Sequence, residues 1–172
     1  MNLHILDLGC GTTKNNAIRV DINFSFSPDV VANLDGFYFP FKENTFSTVI
    51  CSHIIEHIED IFNFFDELWR ISKPGAYIFI RVPYFSCVHS FCDITHKRFF
   101  TYYSLEPFYR HSGYIKKSKV LFKKIKIKMK FRTIFRILGL ETLFNAFPRF
   151  YEKYFPYIFP AKEIEYKFQV IK

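Results

Sequence analysis

The chain has 172 residues, 49% of them apolar and 21% aromatic, which suits one domain with a sizeable core and excludes a disordered polypeptide. Its formal net charge of +8 is unevenly spread: residues 1–109 carry 8 Lys/Arg against 12 Asp/Glu, and residues 110–172 carry 16 against 4. The basic third implies an anionic partner or simply a soluble lysine-rich surface.

Apolar runs predict strands over 3–9, 17–22, 29–34 and 48–53. Ile61, Phe64, Phe65, Leu68 and Trp69 recur at helical spacing, so a helix is expected over 59–72, with Gly75 as its stop. Ala76 to Val82 is apolar apart from Arg81, the pattern of a central parallel strand. Ser104, with Glu106 behind it, suits the start of a short helix. Over 120–131 the residues Ile125, Ile127, Met129 and Phe131 alternate with Lys124, Lys126, Lys128 and Lys130, which predicts a strand with one wet face. Helical spacing follows from Arg132 to Phe147; Pro148 interrupts it, and a second aromatic helix runs on to Tyr157. The last strand is Ile164 to Ile171. Residues 10–16 and 23–28 are all that separate the first three strands, although a parallel crossover ordinarily takes a dozen residues or more. The helices of this half are therefore expected to be shortened or missing. One sheet face would then be uncovered, which favours self-association as a homo-oligomer.

The four cysteines form no Cys-x-x-Cys pair, so zinc is not expected. Cys10 and Cys51 read as buried fillers, whereas Cys87 and Cys92 are close enough in sequence to meet. The amino terminus shows no signal-peptide pattern and no apolar run is long enough to span a bilayer, which suggests a reducing, cytoplasmic location.

The most informative stretch is Ile5-Leu6-Asp7-Leu8-Gly9-Cys10-Gly11-Thr12, an apolar strand ending in an acid and a Gly-x-Gly turn. There is no third glycine, so a dinucleotide pyrophosphate fits it poorly. Val20-Asp21-Ile22 places a second carboxylate at a strand end. Asn33-Leu34-Asp35, Phe39-Pro40-Phe41, Thr48-Val49-Ile50-Cys51-Ser52-His53, Glu56-His57 and Ser72-Lys73-Pro74-Gly75 follow in order. This series resembles the class I S-adenosylmethionine-dependent methyltransferases, most closely their small type 11-like group. Residues 3–104 carry the resemblance, and Glu152 with Phe159-Pro160-Ala161-Lys162-Glu163-Ile164 is similar to the closing segment of one subgroup.

The resemblance implies an α/β fold with a Rossmann-like, mostly parallel sheet and an antiparallel C-terminal strand. It implies a single domain over 1–172, with a cofactor core at 1–104 and a basic part at 105–172 that holds a helical insert, 132–158, between the last two strands. It also implies S-adenosylmethionine as methyl donor. Asp7, Gly9, Cys10 and Gly11 would meet the amino-acid end of the donor, Asp21 and Ile22 the ribose, and Asn33, Leu34 and Asp35 the adenine, with Asn33 and Asp35 both candidates for the adenine amino group. Ser52 and His53 end a strand where the methyl group would sit. His53 and His57 have the spacing of a helical metal pair, but Glu56 directly precedes His57, so the metalloprotease pattern is not met and no metal is expected. Asp93-Ile94-Thr95-His96-Lys97-Arg98-Phe99-Phe100 is similar to the subgroup's Asp-Pro-Thr-His-x-Arg-Phe-Phe segment. Asp93, His96 and Arg98 are its acceptor-site candidates: His96 as general base, since imidazole titrates near neutrality, and Arg98 as a holder of an anionic group. A packed loop whose histidine only bonds backbone is the alternative.

Three functions fit these features. The first is methyl transfer to a small-molecule or glycan-like acceptor. The second is RNA methylation, with the lysine row tracking phosphates. The third is a non-catalytic scaffold whose segment Phe131–Phe159, with Arg132, Arg136, Arg149 and Lys153, makes peripheral contact with a membrane surface.

Overall fold

The computed structural model describes residues 4–110 and 121–172. Leu3 and Val120, which begin two of the expected strands, lie outside them. Seven strands form one sheet: β1 (Ile5–Leu8), β2 (Ile18–Asp21), β3 (Val30–Val31), β4 (Phe46–Ser52), β5 (Ser72–Pro83), β6 (Phe122–Lys130) and β7 (Glu163–Val170). Their order across the sheet is β3-β2-β1-β4-β5-β7-β6. The first five are parallel, and β7 runs antiparallel between β5 and β6. The helices are α1 (Ile61–Ile71), α2 (His89–Cys92), α3 (Thr133–Ile137), α4 (Leu140–Ala146) and α5 (Pro148–Tyr154). Helices α3, α4 and α5 lie between β6 and β7 in the chain.

The short crossovers are real. Residues 9–17 and 22–29 carry the chain between parallel neighbours, with only a 3-10 turn at Phe24–Phe26. As a result the sheet has one dry face. Leu6, Leu8, Val49, Cys51, Ile78, Ile80, Val82, Ile164, Tyr166 and Phe168 are buried on it, together with Phe64, Phe65 and Leu68 of α1. Phe65 stacks on Phe108 with ring centroids 3.9 Å apart, so much of the phenylalanine content is core. On the other face Asp7 pairs in register with Ile50, Ile50 with Phe79, Phe79 with Lys167 and Lys167 with Lys126. Phe79 is 38% exposed there. β5 is thus central but wet on one side; its near-continuous apolar run hides an alternation of core residues with Tyr77, Phe79 and Arg81.

Other expectations need correction. Gly75 does not stop α1, which passes at Ser72 directly into β5; Gly75, at φ +76°, lies in an irregular part of the β4–β5 ladder. The inward set of β6 is broken, because a bulge between Lys124 and Lys126 leaves Ile125 41% exposed while Phe122, Ile127 and Met129 are buried. The helix expected from Arg132 is divided by Gly139, at φ +75°, and Pro148 opens α5 rather than ending a helix, since its missing N–H is harmless in a first turn. Ser104 does not cap a helix: a 3-10 turn starts only at Glu106, and the Ser104 hydroxyl accepts from the Thr101 amide.

A buried carboxylate fastens α1. Glu67, 5% exposed, accepts from the Phe39 amide at 2.7 Å and from Arg70 at 2.7 and 2.8 Å. Arg70 in turn donates to the Phe39 and Phe41 carbonyls at 3.0 and 2.8 Å. Glu67→Ala should cost about 3 kcal/mol of unfolding free energy, because it leaves a half-buried cation and a buried amide unpaired. Urea unfolding followed by circular dichroism measures it.

Candidate active site

After β1 the chain turns at Gly9 (φ +69°) and Gly11 (φ +50°). A Cβ on Gly9 would lie 2.8 Å from the Ile54 Cβ, so only glycine lets the turn pack against the segment after β4. Around Gly11 such an atom would meet nothing within 4 Å, which leaves open space above the turn. The Gly9 and Cys10 amides donate to the Val20 carbonyl at 2.9 and 3.0 Å, and the Gly11 amide donates to Asp21 Oδ2 at 2.9 Å. Asp21 Oδ1 accepts from the Asn23 amide at 2.9 Å. These turn amides therefore bind the protein itself. The turn offers a ligand its open cradle and the Asp7 carboxylate. Asp7 is 3% exposed and accepts from Asn15 Nδ2 at 2.6 Å. Burial raises its pKa above the ordinary carboxylate value, against the opposing pull of Asn15 and Arg19.

A cavity of about 890 Å³ opens beside this turn and spreads over the wet face of the sheet. Asp7, Gly9, Cys10, Gly11, Ser52 and His53 line it. Asp21, Ile22, Asn33, Leu34 and Asp35 do not. Ile22 is exposed and Leu34 joins the core. Asn33 Oδ1 accepts from the Asp35 amide at 2.9 Å. Asp35 accepts from the Glu59 amide at 2.6 Å and lies 3.3 Å from Lys97 Nζ, so it latches loops together. The far wall was not anticipated: Arg81 and Glu165 stand there with Lys126, Lys128, Lys130 and Lys167. The lysine alternation signalled a wet face, but only the β6–β7 register brings that face to the cavity.

A second cavity, of about 550 Å³, adjoins the first at His53, which lines both. His53 directly follows β4 at φ +55°, an uncommon value for a residue with a Cβ, and its amide donates to the Arg81 carbonyl at 2.9 Å. Its Nδ1 lies 3.3 Å from Glu56 Oε1 and its Nε2 3.8 Å from Glu163 Oε1. Asp93 and His96 also line this cavity. Asp93 Oδ1 accepts from the Thr95 hydroxyl and amide at 2.7 and 2.8 Å, bonds that hold its carboxyl below the ordinary range. The Lys97 and Arg98 amides donate to the Glu56 carbonyl at 2.8 and 3.3 Å, stitching the loop after β5 to the loop after β4. Arg98 does not face the cavity wall; its guanidinium donates to the Ile58 carbonyl and, at 2.6 Å, to that of Glu59. His53 and His57 share no helix, because residues 54–58 form a turn. Sequence reasoning did not single out Glu56, Lys162 or Glu163 as site residues, although all three stand in the motifs that carried the family resemblance. The four cysteines are free. Among the described residues no helix is long and apolar enough to cross a membrane.

Gly9→Ala should lower stability by about 2–3 kcal/mol, combining a left-handed backbone with a steric clash against Ile54. Gly11→Ala should cost only the backbone share, about 1 kcal/mol. Thermal unfolding of both variants separates the two effects.

The profile of the family described as "Methyltransferase domain" matches residues 6–80. No curated protein matches the chain. Among solved structures, the chain is similar to a SAM-dependent methyltransferase from Archaeoglobus fulgidus, with 18% identity, a TM-score of 0.66, and coverage of 96% of this chain and 85% of that one. It is also similar to an S-adenosylmethionine-dependent methyltransferase from Mesorhizobium loti, with 13% identity, TM-score 0.63, and coverage of 97% and 90%. A third likeness is to a complex between the Haloferax volcanii Trm112 methyltransferase activator and a methyltransferase, with 15% identity, TM-score 0.59, and coverage of 98% and 82%. At these identities the structures speak for the fold. Together with the family match over residues 6–80, the strand order and the glycine turn after β1, they give this chain the fold of the class I S-adenosylmethionine-dependent methyltransferases.

Proposed function

We propose that the enzyme transfers the methyl group of S-adenosylmethionine to a small-molecule or glycan-like acceptor. The observation that carries this reading is the pair of adjoining cavities that meet at His53, a larger one beside the glycine turn and a smaller one at the loop after β5. The donor's charged amino-acid end suits Asp7 and the open space at Gly11. Asp21 supports the donor from behind by holding the Gly11 amide. Its carboxylate oxygens retain acceptor capacity for a ribose hydroxyl. Bound donor supplies an activated methyl group, so the protein's share is largely orientation and exclusion of water. His96 and His53 line the acceptor cavity, and His53 suits removal of an acceptor proton where the nucleophile carries one.

A specific observation favours a second reading, RNA as acceptor. Lys126, Lys128, Lys130 and Lys167 flank the larger cavity, with Tyr77 and Phe79 exposed on the same face. Fluorescence anisotropy with a single-stranded RNA separates the two. The small-acceptor reading expects weak binding, and tight binding that falls steeply with salt overturns it in favour of RNA.

Calorimetry with S-adenosylmethionine and its demethylated product is expected to give micromolar binding, weakened at least tenfold in Asp21→Ala. Absence of binding to folded protein sinks the donor assignment. The Asp7 carboxyl must be ionised to pair with the donor's ammonium, and its pKa is raised by burial. Affinity should therefore fall as pH drops through that raised value, and Asp7→Asn should bind more weakly with a flattened dependence. Titrations across acid pH measure both.

A further inference from the structure

We propose that Glu56, His57 and His96 form a binding site for a divalent transition-metal ion of the zinc class in the wall of the smaller cavity. One ligand-capable atom from each residue lies within 4.8 Å of the others, close enough for one ion to draw them together. Two imidazoles and a carboxylate favour zinc-like ions over magnesium or calcium.

The hydrogen bonds around the cluster fix its chemistry. His96 Nδ1 lies 2.9 Å from the Ser90 carbonyl, which only accepts, so Nδ1 carries the proton. The Thr95 hydroxyl donates to Asp93 at 2.7 Å and therefore accepts at 2.9 Å from His57 Nδ1. In both neutral rings the free lone pair is then on Nε2. This is the outer-shell arrangement that orients metal-binding histidines. Glu56 completes the set from below. It is 1% exposed, and neither carboxylate oxygen has a hydrogen-bond partner; the 3.3 Å approach of His53 Nδ1 lacks hydrogen-bond geometry. Each of the three residues can thus present an acceptor, one of them on a buried carboxylate that ordinarily demands a partner; Asp93 Oδ2 lies 4.0 Å from His96 Nε2 and adds a further negative group. A bound cation answers all three at once, and the adjoining cavity leaves coordination positions for an outside ligand. The competing arrangement is a proton on one imidazole paired with Glu56.

The metal would hold and polarise an acceptor oxygen or nitrogen beside His53. That role rests on the methyl-transfer reading, whereas the metal site itself does not.

The test is a calorimetric titration of the full, metal-stripped chain with zinc chloride alone, without donor. One zinc per chain with micromolar or tighter affinity is expected, along with a zinc-dependent rise in melting temperature. His57→Gln and His96→Gln should each weaken binding at least tenfold, and Cys92→Ser should leave it unchanged. Cobalt(II) loaded into the unsubstituted protein covers the case in which a variant fails to fold. A visible ligand-field spectrum without a thiolate charge-transfer band is expected. No stoichiometric zinc binding to folded protein, binding that survives both histidine substitutions, or a thiolate band that moves the ion to Cys92 each overturns the site. Donor binding is titrated separately, so failure of the metal site and failure of the donor reading are distinguishable.

Discussion

The parallel register of β1 against β4 is the constraint on which the rest depends. It sets Asp7 beside Ile50 and Leu8 beside Cys51, so both strands finish at the same edge of the sheet. The chain leaves β1 towards β2 on one side and later reaches β4 on the other, which opens a crevice between them. The glycine turn must then pass close to Ile54, and His53 must bend into a left-handed conformation as β4 ends. The crevice, the tight turn and the strained histidine follow from one pairing.

The brevity of the crossovers shapes the second property of the molecule. With no helix over residues 9–17 or 22–29, nothing from that half covers the wet face. The larger cavity therefore extends from Asp7 across Ile50 and Phe79 to the lysines of β6 and β7. Lys167 lies over the Tyr77 and Phe79 rings, 4.4 and 5.1 Å from their centroids, which tempers the apolar exposure of that face. The lysines of β6 also guard an edge strand that would otherwise pair with another chain.

Buried and half-buried carboxylates tie segments of the chain together. Glu67 gathers an amide and a guanidinium at α1. Glu141 accepts from the Phe131 amide and pairs with Lys128 at 2.9 Å. Glu152 accepts from the Tyr84 hydroxyl and the Tyr102 amide at 2.7 and 2.6 Å. Each joins segments distant in sequence through charge-assisted bonds, which are stronger than neutral ones. Glu56 is buried without such partners, and that contrast sets it apart.

Local pattern determined a good deal by itself. Strand existence, the amphipathic α1, the glycine turn and the alternation of β6 were legible because each depends on neighbours a few residues away. The family resemblance rested on the same local motifs. Tertiary structure decided which polar residues meet. Asp21, Asn33 and Asp35 sit in suitable motifs, and in the fold they hold the backbone amides of Gly11, Asp35 and Glu59. Arg98 serves the carbonyls of Ile58 and Glu59, a pairing that exists only once the loops after β4 and β5 meet. The gathering of Glu56 and His57 with His96 has the same origin: about forty residues of chain separate the two sides, and the β4–β5 ladder, the Glu56 carbonyl and the Thr95–His57 contact bring them together.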